Sequence, residues 1–96
     1  MRELTIGSFV TASAGHDSGR CYVIFEMDPE YVYLVDGRIR TLERPKKKKK
    51  IHIHMLSTID QVLAEKVKSK TVTNEEIKRA IKMLSKEVEQ CQRPMS

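Results

Sequence analysis

The sequence has 96 residues, of which 40% are hydrophobic and 32% charged. This length suits one compact domain, and the composition excludes a wholly disordered chain. A membrane-embedded chain is excluded because no apolar run approaches the roughly 18 residues of a membrane helix. The N-terminus lacks the apolar core of a signal peptide, and Cys21 and Cys91 cannot make a disulfide framework. We therefore expect a cytoplasmic protein with free thiols and no membrane partner.

The positive charge is concentrated in one short segment. The formal net charge is +5. Residues 1–45 carry five basic and seven acidic side chains, residues 46–54 carry five lysines and no acid, and residues 55–96 carry eight basic and six acidic side chains. Such a run favours a polyanionic partner, which is a phosphate backbone or an anionic lipid surface. A solvated linker and a targeting signal are the alternatives that the composition leaves open.

The first third of the chain predicts strands. Apolar side chains predict a strand over Leu4–Val10, in which Gly7 marks a bulge or a bend. β-branched and aromatic residues predict further strands over Cys21–Met27 and Tyr31–Val35. The glycines of residues 14–19 provide a turn between the first two strands, which should therefore form a hairpin.

A fourth strand is predicted after a turn. Asp36-Gly37 is a strong hairpin signal, and Arg38–Leu42 alternates charged and apolar side chains. This alternation directs the two arginines of the segment outward on one shared face and brings Ile39 and Leu42 near a core.

The lysine run separates that strand from a fifth one. Pro45 should end the fourth strand because it has no N–H for a ladder. Ile51–Met55 alternates again and can complete the sheet. Five short strands with turn signals about every ten residues favour a small barrel over a sandwich.

The second half of the chain predicts two helices. Thr58 and Gln61 form a capping box for a helix over residues 58–68, with Ile59, Val62, Leu63 and Val67 on one apolar stripe. A second capping box begins at Thr73. Its helix has Ile77, Ala80, Ile81, Leu84 and Val88 on one side and Lys78, Arg79, Lys82 and Lys86 on the other. The tail from Gln90 should fray. Neither helix is long enough to be stable alone, so each stripe must pack on the other, on the barrel or on a partner.

The first half of the chain resembles a KOW motif. Residues 7–24 show its order of a strand, a glycine-containing loop and a second strand. The continuation through Val35–Arg40, Arg44–Lys48 and Lys50–His54 is similar to small bacterial KOW-domain RNA-binding proteins, and so to KOW-carrying large-subunit ribosomal proteins. The resemblance covers residues 4–58 closely and the helical remainder only in general pattern.

The resemblance implies a fold, a ligand and a set of contact residues. The fold is an SH3-like small β-barrel over residues 1–56, followed by a C-terminal α-helical extension over residues 57–96. The ligand is RNA, with the ribosome as a candidate site of action. KOW motifs also mediate protein contacts, so a protein-interaction module of the transcription or translation machinery is the alternative. The predicted RNA-binding residues are Gly15, His16, Asp17, Ser18, Gly19, Arg20, Arg38, Arg40, Arg44, Lys46, Lys47, Lys48, Lys49, Lys50, His52 and His54.

The chemistry of these residues suits RNA. Lysines attract phosphates through counterion release, and arginines add bidentate contacts. We expect the lysine run to be a mobile loop, and strand alternation should place His52 and His54 on one face. The tyrosines of the predicted strands are expected to be half-buried strand residues rather than platforms for base stacking.

Three other classes of function are a metal site, an enzyme and a protein-interaction surface. His52 and His54, with His16 and Cys21, match no strong zinc spacing, so no metal or cofactor is predicted. No nucleophile, base and orienting group occur in a recognisable set, so the protein is not expected to be an enzyme. An uncovered apolar stripe on the last helix would require a partner, which makes a homodimer through that helix a further prediction.

Overall fold

The computed structural model of the protein describes residues 4–12, 20–56 and 58–92, with side chains as far as Leu84. It consists of a five-stranded antiparallel sheet and two α-helices. The strands are β1 (Phe9–Ala12), β2 (Cys21–Met27), β3 (Tyr31–Val35), β4 (Lys46–Lys49) and β5 (Ile53–Met55), and the helices are α1 (Gln61–Lys68) and α2 (Asn74–Gln92). The predicted β-rich fold with a helical C-terminal part is confirmed.

The sheet is rolled. Its strand order is β4-β3-β2-β1-β5, so β4 and β5 stand at opposite edges, although only the short 3₁₀ helix Lys50–His52 joins them. The edges of a flat five-stranded sheet lie roughly 19 Å apart. The four peptide steps from Lys49 to Ile53 span at most about 15 Å. The sheet must therefore curve, but it is not closed: in the described part of the chain no ladder joins β4 to β5.

Alternate residues of the strands build two apolar clusters on opposite faces. The inner cluster lies inside the curve and comes from strands alone: Val10, Ala12, Tyr22, Ile24, Val32, Leu34 and Ile53. The outer cluster joins the other face to the helices: Phe9, Val23, Val35, Leu63, Val67, Val72, Ile77 and Leu84. The helices therefore pack on the sheet. In the described part of the apolar stripe of α2, Ile77 and Leu84 are buried, and Ala80 and Ile81 are half-buried against the same cluster.

Two glycines let the helices approach the sheet closely. Gly7 has φ +91°, and a Cβ there would lie 2.6 Å from the Ala64 Cα in α1. Gly37 has φ +78°, and its Cβ would lie 2.3 Å from the Asn74 carbonyl oxygen in α2. A larger residue at either position meets helix backbone, which cannot move aside as a side chain can.

The prediction for the first strand was partly wrong. Strand β1 begins at Phe9 rather than Leu4. The bend at Gly7 is confirmed, and the Gly7 N–H donates to the Ile24 carbonyl oxygen at 2.8 Å. The predicted pairing of the first two strands is also confirmed, since β1 and β2 are antiparallel neighbours.

The predicted strand Arg38–Leu42 is absent from the structure. One carboxylate oxygen of Asp36 accepts hydrogen bonds from the backbone N–H groups of Arg38 at 2.8 Å and Arg40 at 2.9 Å, and so folds the segment into a turn. The Leu42 N–H donates to the Asn74 side chain at 2.8 Å, which ties the segment to α2. The expectation for Ile39 was wrong because this side chain is 67% exposed, whereas Leu42 does pack on the outer cluster.

The lysine run is a strand rather than the predicted mobile loop. Lys46–Lys49 pairs in antiparallel register with β3, whose backbone groups give it a ladder partner along its whole length. The following segment is only partly a strand: Lys50–His52 forms the 3₁₀ helix, and β5 covers Ile53–Met55 alone.

The helix predictions differ at their starts. Helix α1 begins at Gln61 with Asp60 as its cap, whose carboxylate accepts from the Leu63 N–H at 3.0 Å, so the Thr58 capping box was wrong. Ile59 and Val62 are exposed rather than packed. The second capping box is confirmed: the Glu76 N–H donates to the Thr73 hydroxyl at 3.2 Å, and the Thr73 N–H donates to the Glu76 carboxylate at 3.1 Å. The helical backbone continues to Gln92, beyond the predicted fraying point.

Candidate nucleic-acid interface

Strand β4 sorts its lysines between the two faces of the sheet. Lys47 lies opposite Tyr33 and Lys49 opposite Tyr31, so these four side chains share the outer face. Lys46 lies opposite Leu34 and Lys48 opposite Val32, on the side of the inner cluster. The first pair of lysines is exposed and the second half-buried. We call Tyr31, Tyr33, Lys47 and Lys49 the tyrosine face.

The tyrosine face is held in place by a carboxylate at its end. Asp28 accepts hydrogen bonds from the Tyr31 N–H at 2.7 Å and from the Tyr33 hydroxyl at 3.1 Å. The bonds from backbone N–H groups, chiefly that of Tyr31, lower the pKa of Asp28. The bond to Asp28 raises the pKa of Tyr33, which therefore stays a neutral donor. Lys47 Nζ lies 4.3 Å from the centroid of the Tyr31 ring, a cation–π distance.

The inner lysines sit in a less favourable place for charge. Burial, with the nearby Lys48 as a second cause, lowers the pKa of Lys46. Lys46 and Lys48 both have interactions within the protein. The five predicted lysines are therefore not equivalent, because strand geometry offers only Lys47 and Lys49 fully to a ligand on the outer face.

The structure distributes the other predicted residues around the sheet edges. Arg44 is exposed in the connection before β4, and Lys50 and His52 belong to the 3₁₀ helix. His54 is exposed on β5. The alternation that predicted a shared face for His52 and His54 does not apply, because only His54 lies in a strand.

Arg20 and Arg38 both line an open groove of about 990 Å³ between the β3–β4 connection and α2. We call it the basic groove. Its cationic lining residues are Arg20, Arg38, Lys78, Arg79 and Lys82, and its acidic ones are Asp36 and Glu75. Arg40 does not line it, so the predicted pairing of Arg38 with Arg40 on one strand face was wrong.

Sequence reasoning missed the contribution of α2 to this groove. Lys78, Arg79 and Lys82 were recognised as the charged side of a helix, yet nothing local to them indicates that Arg38 lies opposite. The Asp36-Gly37 pair marks a turn in the sequence, but it gives no sign that α2 begins against Gly37. The prediction that the tyrosines are half-buried is confirmed for Tyr31 and Tyr33 and wrong for Tyr22, which is buried in the inner cluster.

A second groove, of about 550 Å³, separates α1 from α2 and is largely apolar. Ile59, Val62 and Met83 line it and are 55%, 67% and 58% exposed. Lys66 and Glu76 form an ion pair at its edge, and this contact chiefly lowers the pKa of Glu76.

One part of the predicted site lies outside the described residues. Gly15, His16, Asp17, Ser18 and Gly19 fall outside the described residues. In residues 4–12, 20–56 and 58–92 no group of three His, Cys, Asp or Glu side chains could hold a metal ion. No helix in the same ranges has the length and apolar character to cross a bilayer.

Comparison with known proteins adds no family to these observations. No protein-family model matches the chain, and no curated protein is significantly similar to it.

Proposed function

We propose that the protein is a non-enzymatic, cytoplasmic RNA-binding protein whose tyrosine face holds the phosphate backbone through Lys47 and Lys49. The observation that carries this proposal is the register of β4 on β3, which fixes two exposed lysines beside two half-buried tyrosines. Lysines on a strand present their charges at a fixed spacing, so they can contact particular phosphates of a polyanion rather than attract it only diffusely. The Tyr31 ring, which lies 4.3 Å from Lys47 Nζ, helps to hold that lysine in place on the face.

The KOW resemblance and the SH3-like barrel belong to the same proposal. The antiparallel strand order, the rolled sheet and the very short connection between its edge strands support a small barrel of that kind. Structured RNA with unpaired bases is the ligand class that suits a compact basic sheet, and ribosomal RNA is the first candidate.

The lysine run supplies its own matched control. Lys47→Gln with Lys49→Gln removes two charges from the tyrosine face, and Lys46→Gln with Lys48→Gln removes two identical charges from the same strand on its inner side. Fluorescence anisotropy with a structured ribosomal RNA fragment and with duplex DNA of equal length, titrated over salt, compares the pairs.

The native chain should prefer RNA to DNA. The variant Lys47→Gln/Lys49→Gln should weaken RNA binding roughly tenfold and reduce the salt slope by about 1.5, because two phosphate contacts are lost. The variant Lys46→Gln/Lys48→Gln should change the affinity and the salt slope far less. Equal losses from the two pairs would contradict the role of the tyrosine face, and unchanged, feeble binding in all three proteins would contradict RNA binding. Circular dichroism of each variant checks that the fold is intact.

A second candidate function is supported by the apolar groove between the helices. Three large apolar side chains, Ile59, Val62 and Met83, are exposed around it, although the described part of the α2 stripe, which first suggested a homodimer, packs on the outer cluster. A second copy of the chain is the occupant to test, since Lys66 and Glu76 at the edge already pair with each other and leave an identical apolar surface as the complement. Light scattering should then show a mass that rises with concentration and that Val62→Glu returns to the monomer value. A constant monomer mass would exclude this candidate.

A further inference from the structure

We propose that the basic groove between the β3–β4 connection and α2 is a second phosphodiester-binding surface, continuous with the tyrosine face. This inference rests on the proposed function. The juxtaposition of Arg38 with Lys78, Arg79 and Lys82 across an open groove is what points to it.

The described residues of the groove carry more positive than negative charge, since five cationic side chains line it against two carboxylates. Lys78 and Lys82 are four residues apart on α2 and so are neighbours on the helix surface, where like charges repel. Glu75 pairs with Lys78 at 3.2 Å. No described carboxylate pairs with Arg38, Arg79 or Lys82. A bound anion would relieve this repulsion.

The other acid in the groove, Asp36, also holds the turn beside it. The Oδ1 atom of Asp36 accepts two backbone hydrogen bonds, from Arg38 and Arg40, and so shapes the turn. On the β2 side, Arg20 also lines the groove. Charges therefore come from two walls, and a phosphate between them meets donors on both sides.

The shape of the groove favours a chain over an enclosed small ligand. It is open to solvent, so a polymer can enter and leave it. Its wall includes Ile39, which is 67% exposed, and the half-buried Ile81. These apolar side chains can contact a ribose or a base, while arginine can both bind phosphate and stack on a base. This mixture favours RNA over an acidic peptide.

The groove adjoins the lysine strand. Tyr33, which belongs to the tyrosine face, lies three residues before Asp36, so that face begins within roughly 10 Å of the groove's edge. One RNA segment can therefore contact both surfaces without a change in the fold.

The test uses the RNA titration described above with three new variants of the full chain. Lys82→Gln removes one exposed charge from the groove, and Arg38→Gln/Lys82→Gln removes one from each wall. Lys68→Gln is the matched control, since Lys68 is an exposed helical lysine that does not line the groove. Thermal unfolding of each variant verifies that the fold is kept.

Lys82→Gln should lower RNA affinity by about threefold and the salt slope by about 0.8, the double variant should lower the slope by about 1.5, and Lys68→Gln should change neither clearly. If both groove variants match Lys68→Gln while the Lys47/Lys49 variant loses RNA binding, the groove inference is overturned and the proposed function stands. If no variant, including the Lys47/Lys49 pair, changes RNA binding, both fall. A groove that binds poly-glutamate more tightly than RNA of equal charge overturns the choice of ligand.

Discussion

The two apolar clusters come from neighbouring residues of the same strands, yet they depend on the rest of the chain in different ways. The inner cluster is built by β1, β2, β3 and β5 alone. In the outer cluster, five of the eight buried side chains come from α1, α2 and the segment between them. Short helices are marginal by themselves in water. The helices should therefore need the sheet, whereas the inner side of the sheet should not need the helices.

The largest expected effect comes from the inner cluster. Leu34→Ala leaves a cavity at a side chain with no exposed surface, and it should lower the free energy of unfolding by about 3–4 kcal/mol. Because the helices depend on the sheet, all secondary structure should be lost in one transition, measured by far-ultraviolet circular dichroism in urea. Ile39→Ala, at an exposed position, is the control and should stay near the native value. A helical signal that survives after the sheet has unfolded would refute the dependence.

Ile77→Ala tests the other cluster. Ile77 is fully buried between α2 and the sheet, and its truncation should weaken the docking of the helices by about 2–4 kcal/mol. Hydrogen exchange should then show faster exchange of the α1 and α2 amides while the β2 and β3 amides keep most of their protection. Equal loss of protection in strands and helices would mean that the two clusters form a single unit.

Thr73→Ala should have a smaller effect. The Thr73 hydroxyl caps α2, and its removal should cost about 1 kcal/mol, measured by urea unfolding. Thr58→Ala is the natural control, since the sequence marks it as a cap but the structure assigns that role to Asp60. Equal effects of the two substitutions would contradict the observed helix starts.

The smallest effect concerns pH. Lys66 lowers the pKa of Glu76 below its ordinary 4.5, so the folded state favours the ionised carboxylate more than the unfolded chain does. That contribution is fully present above the ordinary pKa and is lost as pH falls through the lowered one. Unfolding followed from neutral to acid pH should therefore show a shallower acid loss in Glu76→Gln than in the native chain. Parallel curves would show that the contact between α1 and α2 adds no pH dependence of its own.

Sequence reasoning succeeded where local preference and tertiary structure agree. Cys21–Met27 and Tyr31–Val35 are rich in β-branched and aromatic residues, and both are strands with the predicted bounds. The capping box at Thr73 likewise marks a helix start that the fold keeps.

It failed where a distant partner decides the structure. Lysine has low strand preference, so Lys46–Lys49 offers no local sign of the ladder that β3 provides. Arg38–Leu42 has the alternation of a strand, but its backbone N–H groups bind side chains instead of a neighbouring strand. Those of Arg38 and Arg40 donate to the Asp36 carboxylate, and that of Leu42 donates to the Asn74 side chain. The basic groove could not be predicted because Arg38 and Lys82 come together only when Gly37 meets α2.

The position of β4 has a consequence for how copies of this chain treat one another. A strand at the edge of a sheet offers unpaired backbone groups to any similar edge, which is a common start of aggregation. Here that edge is a row of lysines. The β4 lysines of two copies repel each other, so this charge disfavours pairing of β4 with the β4 strand of a second copy. Salt screens the repulsion between the lysines, so pairing of β4 edges should begin to precipitate the protein at high ionic strength. The variant Lys47→Gln/Lys49→Gln should precipitate at lower salt than the native chain.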